Sequence, residues 1–373
     1  MLEGYQSRHS RGFSIARSLH IDLTLLVGLL MIASLGLVIL YSASNQNIDI
    51  IYRQLTRLGV AFGIMLIIAQ VPPRQLQFWT PWLFGIGVIL LIAVLSGFGV
   101  VSKGAQRWLD LGLFRFQPSE IIKITLPMML AWYLNDAALP PRPKRILVCG
   151  LLIIVPTLLI AKQPDLGTAL LIASSGVFVI LLSGIRWRFV FASIFTAVAA
   201  APLLWYFMHD YQRRRVLTFL NPENDPLGAG WHIVQSKIAI GSGGTYGKGW
   251  LNGSQSHLEF LPERSTDFIF AVYGEEFGLM GVVVLLLMYL FVIARGLYIA
   301  AQAQDTFGRL LAGSIAITFF FSIFVNIGMV TGLLPVVGLP LPIVSYGGTS
   351  MVTLMIAFGI LMSVHTHRKL LSQ

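Results

Sequence analysis

Residues 22–41 read DLTLLVGLLMIASLGLVILY, a run whose only charged residue stands at its first position. An α-helix rises about 1.5 Å per residue, so a run of this length can cross the roughly 30 Å hydrocarbon core of a bilayer. Arg8, Arg11 and Arg17 precede it, as in a secretory signal, but a signal has an apolar core of only about 7 to 15 residues. The run is therefore predicted to be a retained first membrane helix.

Comparable apolar runs recur along the whole chain, separated by polar clusters. Hydrophobic residues make up 56% of the sequence and charged residues 11%, whereas soluble domains carry about 25% charged residues. This excludes a soluble enzyme and predicts an all-α integral membrane protein, with residues 1–373 as a single polytopic domain. We predict ten transmembrane helices, at about 22–41, 54–71, 79–97, 118–134, 146–161, 166–183, 189–208, 266–294, 309–332 and 346–364.

The placement of Lys and Arg predicts the orientation of these spans. With the N-terminus in the cytoplasm, the inner segments carry about twice as many Lys and Arg as the short outer loops. Ten spans then place both termini in the cytoplasm. Residues 209–265 become a large extracytoplasmic loop between the seventh and eighth helices. This loop is itself basic, which is typical of a solvated loop near anionic lipid or of a surface that binds an anionic, lipid-linked substrate.

The second half of this outer loop has two features. Ile233–Ile240 has the apolar spacing of a helix, and six glycines follow between Gly241 and Gly253. The glycines match neither the Walker pattern nor the dinucleotide-binding pattern. They indicate a backbone that can take positive φ and approach another surface closely, so a turn-rich fold element and a ligand contact both remain open.

Metal and disulfide chemistry find little support in the sequence. Cys149 is the only cysteine, which excludes a disulfide or a thiolate metal site within one chain. The histidines are scattered, and we expect no permanently bound metal.

Charged residues inside spans need a partner, water or a function, because each costs at least about 2.5 to 3.5 kcal/mol to insert. Glu120 and Lys123 lie three residues apart, so they form either a self-neutralising pair or a functional one. Glu275 and Glu276 indicate a polar cavity or a buried ion pair in the eighth span. Lys123 is the only cation placed inside a span, and its pairing with one of these two acids is a hypothesis. Asp267 is either a helix cap or a functional carboxylate at the start of that span.

The last outer loop, residues 332–348, is apolar, uncharged and stiffened by three prolines. Such a segment is poorly suited to open water. It could be a re-entrant element that lines a cavity, or a surface against lipid or a partner protein.

Six motifs occur in order along the chain: Lys103 to Trp108, Gln117 to Glu120, Gln163 to Thr168, Gly228 to Gly244, Phe260 to Phe268 and Pro335 to Gly348. Together they resemble the SEDS family of membrane proteins, which act in cell elongation, division and sporulation. The resemblance extends from Asp22 to Lys369. The short tails, the segment Ala229 to His232 and the ending His365 to Arg368 are more similar to elongation-type members than to division-type members.

This resemblance implies a ten-helix fold and a peptidoglycan glycosyltransferase that polymerises lipid II at the outer face of the bacterial cytoplasmic (inner) membrane, releasing undecaprenyl pyrophosphate. It implies Asp267 as the catalytic carboxylate. It also implies a class B penicillin-binding protein as partner, among the other elongasome proteins that maintain rod shape. Lipid II and membrane lipids are the expected ligands, and no nucleic acid is expected.

An inverting transfer from an α-linked donor to a β-linked product requires a base, and Asp267 is the candidate for it. The leaving pyrophosphate needs cations, for which Lys123, Arg53 and Arg213 to Arg215 are candidates, with or without a divalent cation such as Mg or Mn. Glu120, Asp165 and Lys237 complete the predicted substrate-binding set.

Two other functions fit the same sequence. Charged residues within spans could line the path of a lipid II flippase, for which Asp267→Asn would retain some function. A scaffold that only recruits the crosslinking partner would have no activity of its own.

Overall fold

The computed structural model of the chain describes residues 20–102, 105–110, 115–136, 138–208, 213, 217–219, 221, 228–254 and 263–367. Lys103, Gly104, the candidate cations Arg214 and Arg215, part of the predicted outer loop and Arg368 lie outside these ranges. The helices are α1 Leu23–Ala43, α2 Ile48–Ala69, α3 Pro73–Ala93, α4 Pro118–Asn135, α5 Pro143–Lys162, α6 Leu166–Leu182, α7 Trp187–Phe207, α8 Ala229–Gly243, α9 Ile269–Ala301, α10 Thr306–Val330 and α11 Thr349–Thr366.

Each of the ten predicted spans corresponds to one helix, namely α1–α7 and α9–α11. Seven of the helices in the described ranges are long and apolar enough by themselves to cross a membrane. The largest boundary error is at the end of α9, which continues to Ala301 rather than to about residue 294. Helix α2 begins at Ile48 rather than near residue 54. Asn47 caps it by accepting hydrogen bonds from the backbone N–H groups of Asp49 and Ile50. Since the apolar run starts later than the cap, Arg53 was wrongly placed in a loop.

A small antiparallel sheet departs from the all-α prediction. Its strands are β1 Val100–Ser102, β2 Ala105–Asp110 and β3 Arg115–Phe116, in the order β1-β2-β3 between α3 and α4. Arg107 on β2 donates to the backbone carbonyls of Gln163 and Pro164. The sheet therefore lies over the start of α6.

Helices pack closely where one of them offers a small residue. Gly296 of α9 faces Ala316 of α10, Gly313 of α10 faces Leu182 of α6, and Gly359 of α11 lies against the backbone of Met65 in α2. A methyl group added at any of these glycines would come within 3.0 Å of a neighbouring atom. Small residues allow this approach, which favours helix association in lipid by van der Waals contact.

Asp22 joins three helices at one end of the bundle. Its carboxylate caps α1 through the N–H of Leu25, accepts from Arg295 of α9 at 2.8 Å, and lies 2.9 Å from Nδ1 of His365 in α11. Burial raises the pKa of Asp22, but the neighbouring His365 and Arg295 outweigh it and hold the pKa at about 2. At the opposite end of α1, the hydroxyl of Ser42 donates a hydrogen bond to the carboxylate of Glu276 in α9. This end of α1 lies at the Asp267 end of the bundle.

The variant Asp22→Asn is expected to have a free energy of unfolding about 2 kcal/mol lower than the wild type at neutral pH. A carboxyl whose folded pKa is depressed stabilises the fold above its unfolded pKa, and this contribution disappears as the pH falls through about 2. Asparagine still caps helices, so the change isolates the charge. Thermal unfolding in detergent, followed by tryptophan fluorescence at pH 7 and pH 2.5, checks the difference. Equal melting temperatures at pH 7 would contradict it.

Helix α9 is broken at Gly278, where φ is 63° and ψ is −163°. The break accepts the glycine loop, which we define as residues 244–254 and which follows α8. Gly247 lies so close to α9 that a Cβ there would be 2.1 Å from the carbonyl oxygen of Glu276. The predicted helix at Ile233–Ile240 is confirmed as part of α8, and the glycine cluster is a fold element that approaches another backbone.

Candidate active site

Asp267 lies in a turn at the end of the bundle opposite Asp22. This segment, the Asp267 turn, comprises Glu263–Phe268 and precedes α9. Helix α9 begins at Ile269 with Phe268 as its N-cap and no side-chain capping bond. Asp267 is therefore not the helix cap that one reading of the sequence allowed.

The proline loop, residues 332–348, holds the Asp267 turn. The N–H of Tyr346 donates to the carbonyl of Ser265 at 2.8 Å, and the hydroxyl of Ser345 donates to that of Thr266 at 2.6 Å. Gly338, whose φ is +73°, lies beside the carboxylate, because a Cβ at Gly338 would be 3.5 Å from Oδ2 of Asp267. Leu339, Leu341, Ile343 and Val344 of the loop are buried, whereas Leu333 is exposed. The loop lines a cavity, as the re-entrant alternative predicts.

Asn326 of α10 joins the turn to the proline loop. Its Nδ2 donates to the backbone carbonyl of Asp267 at 3.0 Å and to that of Leu339 at 2.7 Å. Two carbonyl acceptors fix the amide orientation, since only the NH₂ group can donate to both. Oδ1 is then buried without a hydrogen-bond partner in the described part of the chain.

Replacement of Asn326 by aspartate is expected to destabilise the protein by about 2 to 4 kcal/mol. The two side chains have nearly the same shape, but a carboxylate cannot donate to two carbonyl oxygens and instead repels them. Ser314→Ala is the matched control, because Ser314 is equally buried on α10 and donates one hydrogen bond to Ser175 away from the turn. Thermal unfolding in detergent should show the larger loss for Asn326→Asp, and equal losses would contradict the assignment.

A groove of about 990 Å³ runs between α2, α3, α4 and α11. Arg53, Arg57 and Glu120 line its end nearest the proline loop. From there it follows α2 for about 22 Å to Ile68. The remainder of its lining is mostly apolar: Val60, Ile64, Leu76, Leu83, Ile121, Ile124, Met128, Val352, Ile356 and Ile360.

The polar end of the groove is tied to the proline loop. The guanidinium of Arg57 stacks over the ring of Tyr346, 4.5 Å from its centroid. The N–H of Tyr346 donates to the Asp267 turn, so one residue connects the groove to that turn. Glu120 Oε2 and the hydroxyl of Thr125 are buried against the groove with no hydrogen-bond partner within the described ranges. An arriving ligand could satisfy them.

Lys123 lines a second, smaller cavity of about 130 Å³, whose opposite wall is the proline loop from Leu339 to Ser345. Its ammonium lies 2.7 Å from Oε1 of Glu120, so the two residues form the self-neutralising pair. The hypothesis that Lys123 pairs with Glu275 or Glu276 was wrong. Glu275 pairs at 2.7 Å with Lys248 of the glycine loop, which the sequence analysis did not treat as a cation available to a span.

The other predicted substrate-binding residues are not among the residues that line the groove. Asp165 caps α6 through the N–H of Thr168, and its second oxygen accepts from the amide of Gln117. Arg213 donates to the carbonyls of Trp205 and Tyr206 at the end of α7. The side chain of Lys237 lies over Gly332 at the end of α10. Binding of substrate by these three residues stays a prediction.

The site therefore contains a carboxylate on a turn at the bundle end, an apolar groove with two arginines at one end, and an ion pair between two cavities. Such a groove suits an amphiphile with an anionic head and a long apolar chain. No cluster of three His, Cys, Asp or Glu residues that could hold a metal occurs in the described ranges, and the use of Mg or Mn stays a prediction.

Three residues that the sequence analysis did not single out shape this site: Arg57, Asn326 and Tyr346. Arg57 was not considered as a functional cation, although its spacing of four residues from Arg53 would place both on one face of a helix. The only indication that Asn326 is important was its position as a polar residue within a predicted span. The ring contact of Tyr346 depends on tertiary packing and has no local signal.

The FtsW/RodA/SpoVE family model, described as cell cycle protein, matches residues 16–370. The peptidoglycan glycosyltransferase MrdB of Escherichia coli K12 is 55% identical over 355 residues, covering 95% of this chain and 96% of MrdB. The peptidoglycan glycosyltransferase RodA of Treponema pallidum is 32% identical over 426 residues, covering 93% of this chain and 98% of that protein.

Solved structures agree with these sequence relatives. One chain, from a study of structural coordination of polymerization and crosslinking by a peptidoglycan synthase complex, matches with a TM-score of 0.82 at 32% identity, covering 92% of this chain and 97% of that chain. The rod shape determining protein RodA of Thermus thermophilus matches with a TM-score of 0.71 at 28% identity, covering 93% and 98%.

Proposed function

The chain belongs to the FtsW/RodA/SpoVE family, and we propose that it is a peptidoglycan glycosyltransferase of the RodA type that polymerises lipid II into β-1,4 glycan strands. The observation that carries the proposal is the connection of the groove to the Asp267 turn through Tyr346. It brings an anion-binding, apolar-lined site next to a carboxylate.

The groove accepts the undecaprenyl chain of lipid II. Its apolar lining along α2 matches a hydrocarbon chain, and Arg53 and Arg57 at the polar end attract the pyrophosphate. The Glu120–Lys123 pair lies between this groove and the smaller cavity, where Lys123 can turn towards a phosphate while Glu120 maintains local neutrality. Arg57 is thus added to the predicted substrate-binding residues.

Asp267 acts as the general base. The hydroxyl of the acceptor sugar attacks the anomeric carbon of the donor, forming the β-glycosidic bond as the α bond to pyrophosphate breaks. The hydroxyl proton passes to the carboxylate, and the electron pair of the broken bond leaves with undecaprenyl pyrophosphate. The fixed cations stabilise the negative charge that develops on the leaving group.

The protein works in the bacterial inner membrane with both termini in the cytoplasm, and the Asp267 end faces outwards. Its partner is a class B penicillin-binding protein of the elongasome, which crosslinks the new strands. The structural relative from a peptidoglycan synthase complex supports a partner of this kind.

Polymerisation of purified lipid II by the detergent-solubilised full chain, alone and with its penicillin-binding partner, tests the function. Glycan strands that depend on the chain are the expected product. A failure to form strands with a competent partner, combined with translocation of lipid II across vesicles, would favour a flippase instead.

A further inference from the structure

The glycine loop enters the broken part of α9 and replaces its missing hydrogen bonds. In a continuous helix the N–H groups of Leu279 and Met280 would donate to the carbonyls four residues earlier, at Glu275 and Glu276. Here they donate to Gly244 and Thr245 instead, each at 3.0 Å.

The displaced carbonyls find partners in the same loop. The carbonyl of Glu275 accepts from the N–H of Lys248, and that of Glu276 accepts from Gly249, each at 3.0 Å. Four bonds between two segments thus replace two bonds within one helix. A helix kink normally has an identifiable cause, and here it is an inserted segment of the same chain.

Side chains also stabilise the contact between the glycine loop and the break in α9, which we call the joint. The carboxylate of Glu275 is fully buried and accepts from the ammonium of Lys248 at 2.7 Å and from Ser254 at 3.1 Å. The neighbouring Glu276 accepts from Ser42 at the end of α1. Removing one partner of a buried ion pair leaves an uncompensated charge, which is strongly destabilising for the arrangement around it.

A short segment of α9 connects the joint to the Asp267 turn. The segment Ile269–Phe277 runs from the Asp267 turn to the break and is about 13 Å long. Asn326 and the proline loop hold one end of this helix segment, and the glycine loop holds the other. A tilt of about 10° at the joint would displace the far end by about 2 Å, and misplacement by about 1 Å can reduce a rate about 10²-fold.

We infer that Lys248 is a positioning residue for glycan polymerisation, which acts through Glu275 on the orientation of the helix segment that carries Asp267. The inference rests on the proposed function, because it takes Asp267 as the base. It adds that the outer loop and the broken helix form one unit, and that the ion pair maintains the loop in the break.

The test compares kcat and KM for lipid II polymerisation by the full chain with its partner. Lys248→Met is expected to lower kcat at least tenfold with KM within about twofold. Lys248→Arg should recover most of the rate because it retains the charge. Lys248→Met combined with Glu275→Gln should recover to within about threefold of wild type, since no buried charge then lacks its partner. Lys144→Met, at an exposed lysine in the first turn of α5, is the control.

A crosslink separates position from a general loss of folding. Thr245→Cys and Met280→Cys, in a Cys149→Ala background, place two thiols at the joint, where the two backbones share a hydrogen bond. In the Lys248→Met variant, oxidation should restore kcat to near the wild-type value, because the disulfide fixes the loop to the helix. Wild-type kcat in Lys248→Met, or a defect that persists after the crosslink has formed, would overturn the inference. Activity in Asp267→Asn would instead overturn the assignment of the base.

Discussion

The variant Asp267→Asn is expected to polymerise lipid II about 10² to 10⁴ times more slowly than the wild type, while its affinity for lipid II changes by less than about threefold. Asparagine has nearly the same size as aspartate, and the backbone carbonyl that Asn326 contacts is unchanged. The amide cannot accept the proton of the attacking hydroxyl at neutral pH. The loss should therefore appear in kcat, measured by strand formation, with lipid II binding measured separately.

Asp49→Asn is the matched control for this change. Asp49 is an exposed carboxylate in the first turn of α2, at the same end of the bundle as Asp267. Its replacement alters the net charge there equally but lies outside the Asp267 turn, so strand formation should stay within about twofold of wild type. Comparable losses in the two variants would indicate a general electrostatic effect and argue against a base at Asp267.

The same comparison separates a polymerase from a flippase. Translocation of a head group needs polar walls, which asparagine still supplies, whereas sugar transfer needs a proton acceptor. A variant that retains lipid II translocation in vesicles but makes no strands identifies a catalytic function for the carboxylate. If it makes strands at the wild-type rate, another group accepts the proton.

The sequence predicts the helices well because membrane spans follow from length and apolarity alone. Each predicted span matches a helix, and the errors lie at helix ends, where a helix continues beyond the predicted run by up to about seven residues. The start of α2 at Ile48 is one such case, set by the capping side chain of Asn47. The sheet between α3 and α4 was missed because its strands have only two to six residues.

The ion pairs were harder to predict than the helices. Glu275 and Glu276 were recognised as costly, and a buried ion pair was one of the expected outcomes. The partner was wrong because Lys248 comes from an extracytoplasmic loop, and nothing local indicates that this loop enters a broken helix. The glycines allowed a close backbone approach, but only the tertiary structure shows which backbone they approach.

The residues of the candidate site differ in how far the sequence reveals them. Asp267 was identified through its position between the outer loop and the eighth span, together with the family resemblance. Arg57 and Asn326 act through contacts with residues far along the chain, namely Tyr346 and Asp267 respectively. Pairings over such separations depend on how the helices pack, and one sequence does not encode them in a readable local pattern.

Replacement of Ile356 by tryptophan is expected to lower kcat/KM for lipid II about 100-fold, mainly through KM. Ile356 lies on α11 about 12 Å from Gly348 at the polar end and lines the apolar part of the groove, so the indole occupies space that the undecaprenyl chain needs. Loss of contact for about four methylene groups corresponds to about 3 kcal/mol, or roughly 100-fold in affinity. Initial rates of strand formation over a range of lipid II concentrations measure the effect.

Leu151→Trp provides the control for Ile356→Trp, because Leu151 is exposed on α5 and lines neither cavity. A lipid II analogue with a prenyl chain too short to reach Ile356 sharpens the comparison. Wild type and Ile356→Trp should use this analogue equally well, since its chain does not meet the indole. If the variant is impaired to the same degree with long and short chains, the tryptophan disturbs the fold rather than the chain site, and the undecaprenyl group binds elsewhere.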